Sequence, residues 1–289
     1  MNYIINFFAK LYDSIEKYWE GDKNQKILGT GIVFSFIISL ILIQLNRWGI
    51  LPSYISPYIS TNHFFAVEVA FIVLLGFEVL SLVFILPSSV AKSLHKQFEI
   101  ISLIMLRNAF KEFSHFGEPI DWNHSYDTIL HIFANASTAL IIFFGIYLIR
   151  NIRTHYIITE SEKEQNRFIS IKKMTSILLL LSFVFLAIQD SYFFLTHQET
   201  YKFFSTFYTV LIFTDVLMVL VSLRYSYNYM ILFRNSGFTL ATVLLRIALS
   251  APVYANSIIV IFAIVFVFLL TLVYQNMQKK KIKLRSESK

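Results

Sequence analysis

Five polar residues, His124, Asp127, His131, Asn135 and Thr138, are spaced 3, 4, 4 and 3 apart. At about 100° per residue they share one stripe of a helix. A carboxylate and two imidazoles within two turns are competent metal ligands, so His124, Asp127 and His131 are the candidate metal residues, with the remaining ligands owed to neighbouring helices. An imidazole such as His131 also has the chemistry to pass protons near neutral pH. The competing reading is structural. Polar residues are ordinary at a helix start, the helix dipole favours a carboxylate at Asp127, and Asn135 can hydrogen-bond between helices.

A second stripe, Asn235, Thr239, Thr242, Arg246 and Ser250, is spaced 4, 3, 4 and 4. A mid-helix arginine in lipid costs about 2.5–3.5 kcal/mol, so Arg246 must pair or face water. Glu78 and Asp215 are the acids nearest the middle of apolar runs, and one of them is the expected partner. Such a pair either fixes helix packing or lines an anion or substrate path. Pro252 ends the short helix, and broken helices at mid-depth flank binding sites. Asp190, next to Gln189, is a further acid in an apolar run.

Other chemistries have thinner support. Arg224, Arg234 and Arg246 are 10 and 12 apart, too sparse for a voltage sensor. Only one apolar run holds a histidine within it, which is poor material for a metal-dependent intramembrane hydrolase. There is no GxSxG, no GxxxxGK[ST] and no cysteine, so no catalytic residue is assigned and no cofactor is expected.

These residues must be held by membrane helices. The chain of 289 residues is 56% hydrophobic and 15% charged, with a mean hydropathy of +0.61. Soluble domains are nearer a quarter charged. The apolar runs are continuous, not alternating, which argues against a β-barrel. The expected fold is all-α: a polytopic membrane bundle of about seven transmembrane helices with amphipathic interfacial helices. The spans fall near 28–46, 64–86, 125–149, 174–196, 203–223, 237–250 and 254–276. Residues 1–24 form an interfacial amphipathic segment, with Ile4, Phe7, Phe8, Leu11, Ile15, Tyr18 and Trp19 on one face. Its charges leave no clean signal-peptide core. Residues 88–116 read as an interfacial or bundle-packed amphipathic helix whose apolar core is too short to cross. Residues 25–276 make the bundle, and 277–289 a basic cytoplasmic tail.

The net charge of +7 sits mainly at membrane flanks, so positive-inside topology accounts for it and no nucleic-acid partner is expected. The loop 150–173 and the tail are the cytoplasmic segments. With seven crossings the N-terminus lies outside and basic residues divide about 15 to 9; an eighth crossing by 94–113 would make it about 20 to 4. Lys96, Glu99 and Arg107 argue against that crossing, so seven is the base expectation and the side of the N-terminus is left open.

The leading functional expectation is an ion or small-solute channel or transporter of the cell membrane. Its polar interior is built from Glu78, Asp127, His131, Asn135, Asp190, Asp215 and Arg246. The alternative is a non-catalytic scaffold or receptor-like subunit, and the third reading is the hydrolase. Expected partners are the bilayer, anionic lipids at the tail, and a second copy or a membrane-complex subunit.

Overall fold

A computed structural model describes residues 2–19, 21–53, 55–122, 125–152, 162–196, 203–223 and 229–287. Among them are nine α-helices and no strand: α1 Asn2–Trp19, α2 Asp22–Arg47, α3 Phe65–Phe84, α4 Val90–Lys111, α5 Tyr126–Ile152, α6 Glu162–Leu195, α7 Phe203–Leu223, α8 Tyr229–Ser250 and α9 Val253–Glu287. Short 3₁₀ turns lie at Ser56–Tyr58 and Glu112–His115. Seven helices, α2, α3 and α5 to α9, contain stretches long and apolar enough to cross a membrane. The chain is a multi-pass integral membrane protein.

Several expected boundaries move. Gly237 was expected to open a short helix, yet α8 runs unbroken from Tyr229 through Ser250. A Cβ on Gly237 would lie 2.7 Å from Leu270 Cδ2, so this glycine brings α8 close to α9 and does not break the helix. Upstream, Arg234 sits 4.8 Å from the centre of the Tyr274 ring, which anchors the first turns of α8 on α9. Helix α6 begins at Glu162, inside the expected loop 150–173, and α9 continues through the expected tail to Glu287. Residues 153–161, and the side chains of Lys163, Arg167 and the basic tail, lie outside those described.

Of the two readings of residues 88–116, interfacial or bundle-packed, the structure has the second: helix α4 packs against α3, α5 and α8. It runs antiparallel to α3 over the whole of that helix. Phe110 stacks on Phe71, Lys111 pairs with Glu68 at 2.9 Å, and Asn62 donates to the Phe116 carbonyl at 2.7 Å. Its 22 residues extend about 33 Å at 1.5 Å per residue. The reason is visible in its faces. Leu94, Phe98, Ile101 and Met105 are buried, as are Ser93, Gln97 and Arg107, while Leu103, Leu106 and Phe110 are exposed. The middle of the helix therefore turns an apolar surface outward and keeps its arginine inside.

The helices form two groups that share the α4–α8 seam. In one, α4, α5, α8 and α9 enclose an apolar core that includes Phe98, Ile142, Leu245 and Val260. In the other, α3, α4, α8, α7 and α6 make a closed ring of neighbours. Its apolar packing comes from Val79, Val83, Leu179, Phe207 and Leu211. On α8, Phe238, Ala241, Leu245 and Ala248 face the first group, leaving the adjacent polar stripe for the second.

The last carbonyls of α3 have no partners within their own helix, and other helices supply them. Tyr12 of α1 donates to the Phe84 carbonyl and Ser176 of α6 to that of Val83 at 3.2 Å; beyond the helix, in the α3–α4 connection, Lys172 of α6 donates to the Ser88 carbonyl at 3.0 Å. Lys173 also meets Asp13 at 2.5 Å. These bonds dock α1 on the bundle. Of its expected apolar face, Phe8, Ile15 and Trp19 pack inward, whereas Phe7, Leu11 and Tyr18 are exposed. The anchor is Tyr12, which that face did not include and which is fully buried. At the same end of the bundle, Gln275 of α9 donates to the Ile152 carbonyl of α5 at 2.7 Å.

At the opposite end, Glu118 ties the α4–α5 connection to the α2–α3 connection. It contacts His63 at 3.1 Å and Arg47 at 3.3 Å. The His63 side-chain bond, then the His63 backbone N–H, holds the Glu118 carboxyl below the ordinary carboxylate range. A carboxyl depressed in the folded state stabilises above its unfolded pKa, and that contribution is lost as pH falls through the folded value. Thermal melts of the wild type and Glu118→Gln should differ at neutral pH and converge in acid, once the folded-state carboxyl is protonated. An unchanged difference at acid pH would remove this contact as the cause.

Candidate functional site

Two buried ion pairs stand in the five-helix ring. Arg246 of α8 is 1% exposed and donates through Nε to Asp215 of α7, with Nη2 at 3.5 Å from the other oxygen. Arg107 of α4 places Nη1 3.0 Å from Glu78 Oε2 of α3. The angle there is poor for a directed hydrogen bond, since Glu78 Oε2 has no hydrogen-bond partner; the pair is held by charge. Arg107 also donates to the Phe71 carbonyl and to Asn108 Oδ1, both at 3.3 Å. Tyr208 of α7 is buried within electrostatic reach of Arg107, Glu78 and Arg246. The two pairs and the phenol therefore form one polar centre on four helices.

Beside this centre is a cavity of about 50 Å³, lined by Leu86, Ser93, Gln97, Lys172, Asp215, Met218, Val219, Asn235, Thr239 and Thr242. All five helices of the ring, or their immediate ends, contribute to it. Asn235, Thr239 and Thr242 belong to the second sequence stripe, so that stripe lines a real space. Its remaining member, Ser250, is exposed. The Thr239 and Thr242 hydroxyls are spent on the backbone carbonyls of Asn235 and Thr239, at 3.0 and 2.8 Å. Gln97 donates to Ser93 Oγ at 3.1 Å.

The first stripe is dispersed. His124 lies outside the described residues. Asp127 is exposed in the first turn of α5. His131 turns to Glu112 at 3.3 Å and packs edge-on against Tyr254. Asn135 and Thr138 are buried, and both amide atoms of Asn135 lack a hydrogen-bond partner. Among the described residues, no three His, Cys, Asp or Glu side chains gather to hold a metal ion. Asp190 lines a separate cavity of about 160 Å³ with Leu186, Gln189, Phe203 and Thr206, and its Oδ1 has no hydrogen-bond partner.

Of the expected interior residues, the structure thus brings together Glu78, Asp215 and Arg246, and leaves Asp127, His131, Asn135 and Asp190 elsewhere. Asp215 is the partner of Arg246, one of the two acids expected; Glu78 serves Arg107. Arg107, Tyr208, Gln97 and Lys172 were not among the expected site residues. The sequence signal for Arg107 was limited to its charge: a hairpin closing at Pro87 sets Glu78 opposite Lys96 and Glu68 beside Arg107, whereas the structure pairs Glu78 with Arg107 and Glu68 with Lys111. Comparison with models of known families, with curated proteins and with solved structures gives no match to this chain.

Proposed function

We propose that the protein is an ion or small-solute channel or transporter whose path runs through the ring of α3, α4, α6, α7 and α8. The observation that carries this reading is the convergence of Glu78–Arg107, Tyr208 and Asp215–Arg246 beside a polar cavity, while the neighbouring helix group buries polar residues such as Asn135 and Asn256 but no ion pair among the described residues. Four charges kept in one place inside a membrane bundle cost desolvation, and such residues mark conduction or coupling sites. Purified protein in liposomes should pass an ion that protein-free liposomes retain, and Asp215→Asn should reduce that flux strongly. Equal flux with and without protein, across small cations, anions and protons, would end the reading.

The same reading takes α4 as an eighth crossing. The ends of α3, α5 and α9, the start of α6 and helix α1 share one end of the bundle. The basic 150–173 segment and tail make that end cytoplasmic, and Lys10, Lys17, Lys23 and Lys26 join them there. The chain has no cysteine, so single cysteines report topology directly. In sealed vesicles, Lys10→Cys and Lys283→Cys should react with an impermeant maleimide on the same side, and Glu118→Cys on the other. Lys10→Cys reacting with Glu118→Cys would restore seven crossings.

One observation favours the second reading, a scaffold subunit. Helix α2 has Ile43 as its one buried residue and packs mainly on α3 and, slightly, on α1. A partner helix would find its apolar surface there, not on α4, which is committed to the bundle. The tail remains a candidate for anionic lipid headgroups.

A further inference from the structure

We propose that Glu78 is a proton-carrying site, which takes up and releases a proton while Arg107 stays in place. Its part in a transport cycle rests on the reading above; the site itself follows from the unequal construction of the two ion pairs.

The two arginines differ in what each keeps when its acid is neutralised. Arg107 has acceptors of its own, since it donates to the Phe71 carbonyl and to Asn108 Oδ1, both at 3.3 Å. Its contact with Glu78, at 3.0 Å, adds charge but no directed hydrogen bond. Arg246 has no such reserve. Among the described residues its Nε and Nη2 bond only to Asp215, and its Nη1 has no hydrogen-bond partner. A proton on Asp215 would leave a buried guanidinium facing only a neutral acid, which is the costly case. A proton on Glu78 leaves Arg107 its two oxygen acceptors. The Glu78 side chain is also the more accessible acid, 12% exposed against 6% for Asp215.

Few other groups bear on this carboxyl. Among the described residues, the charged or titratable side chains within its electrostatic reach are Arg107 of α4 and Tyr208 of α7. Beyond Tyr208, the charges of Asp215 and Arg246 cancel. Helix α1 presents the neutral Trp19 to Phe77 and Ser81 beside it, α6 adds the neutral Leu179 and Leu180, and α2 has no charged residue between Lys26 and Arg47. The step balances without another reactant. A proton from water forms an O–H bond on Glu78, the same bond breaks on release, and Arg107 stays protonated throughout. The four charges of the centre sum to zero before uptake and to one positive charge after it. Acids inside membrane bundles serve as proton relays in this way.

The test is the infrared difference spectrum of the full-length protein in detergent between alkaline and acid buffer. Subtracting the Glu78→Gln spectrum from that of the wild type should leave the carbonyl stretch of one protonated carboxylic acid. Asn108→Ala removes an acceptor that holds Arg107 apart from the acid. The guanidinium then depends more on the charged form of Glu78, and proton binding should weaken about tenfold, the worth of a hydrogen bond to a charged group. A merely structural Glu78 would not respond to that change. Asn108→Ala keeps the acid, so it carries the test against the wild type if Glu78→Gln does not fold. In liposomes under a potassium diffusion potential, inside negative, the wild type should take up protons and Glu78→Gln should lose that uptake. Identical spectra in the wild type and Glu78→Gln, or equal proton binding in the wild type and Asn108→Ala, overturns the proposal. Flux separates the two readings. A Glu78 that gains its proton in a protein passing no ion sinks transport and keeps this site. Ion flux through a protein whose Glu78 stays charged in acid and alkaline buffer alike keeps transport and sinks this site.

Discussion

Asp215→Ala should destabilise the protein by about 3–5 kcal/mol, the loss seen when one member of a buried ion pair is removed. The cost is not the worth of the pair. It is the penalty of leaving Arg246, a guanidinium 1% exposed, with no carboxylate and no water. Arg246 already has one nitrogen without a hydrogen-bond partner, so its remaining bonds to Asp215 are the main compensation for its burial. The control is the double change Asp215→Val with Arg246→Met. Replacing both charges by apolar groups of similar shape removes the stranded ion, and much of the lost stability should return. The measurement is reversible unfolding in mixed micelles. A single Asp215→Ala variant within about 1 kcal/mol of wild type would mean that water or another acid reaches Arg246, since a truly buried unpaired charge costs more.

Gly145→Ala should cost about 1–3 kcal/mol, the range for overpacking a closed core. A Cβ at Gly145 would lie 2.5 Å from Ile264 Cγ1 and 3.2 Å from its Cδ1. Ile264 is buried in the apolar core between α5 and α9, and Cγ1 is near the root of a β-branched side chain that cannot swing away cheaply. The helices must separate instead. Two comparisons make this specific. Gly237→Ala meets Leu270 at Cδ2, 2.7 Å away, the far end of a more flexible side chain, and should cost less. Gly76→Ala on α3 meets nothing within 4 Å. It should be neutral or gain up to about 1 kcal/mol from helix propensity. Equal effects at Gly145 and Gly76 would remove close packing as the role of Gly145.

The outward division of this chain was legible from its composition and runs. Length and hydropathy give the seven apolar spans because a hydrocarbon solvent accepts only helices whose backbone bonds are internal. The stripe from Asn235 to Arg246 was legible for the same reason: polar residues repeating at helical spacing must turn from lipid. That logic also required a partner for Arg246 and named two acids for it.

Three things were decided only in three dimensions. Helix α4 reads as too charged to cross because a linear count charges every ion the full cost of lipid. Glu78 and Glu68 neutralise Arg107 and Lys111, Lys96 pairs with Glu99, and the helix packs among α3, α5 and α8. The first stripe reads as a site because five polar residues share a face; yet neighbours differ along that face, so of its four described members Asp127 ends exposed, His131 ends on Glu112 and Asn135 and Thr138 reach the interior. Finally, Tyr208, Gln97 and Lys172 stand among other polar residues of their helices, Thr206 and Thr209, Lys96 and Glu99, and Lys173, and nothing in spacing singles them out. Periodicity reports which face of one helix avoids lipid. It cannot report which faces of different helices meet, because that depends on how glycines such as Gly145 and Gly237 set the distances between them.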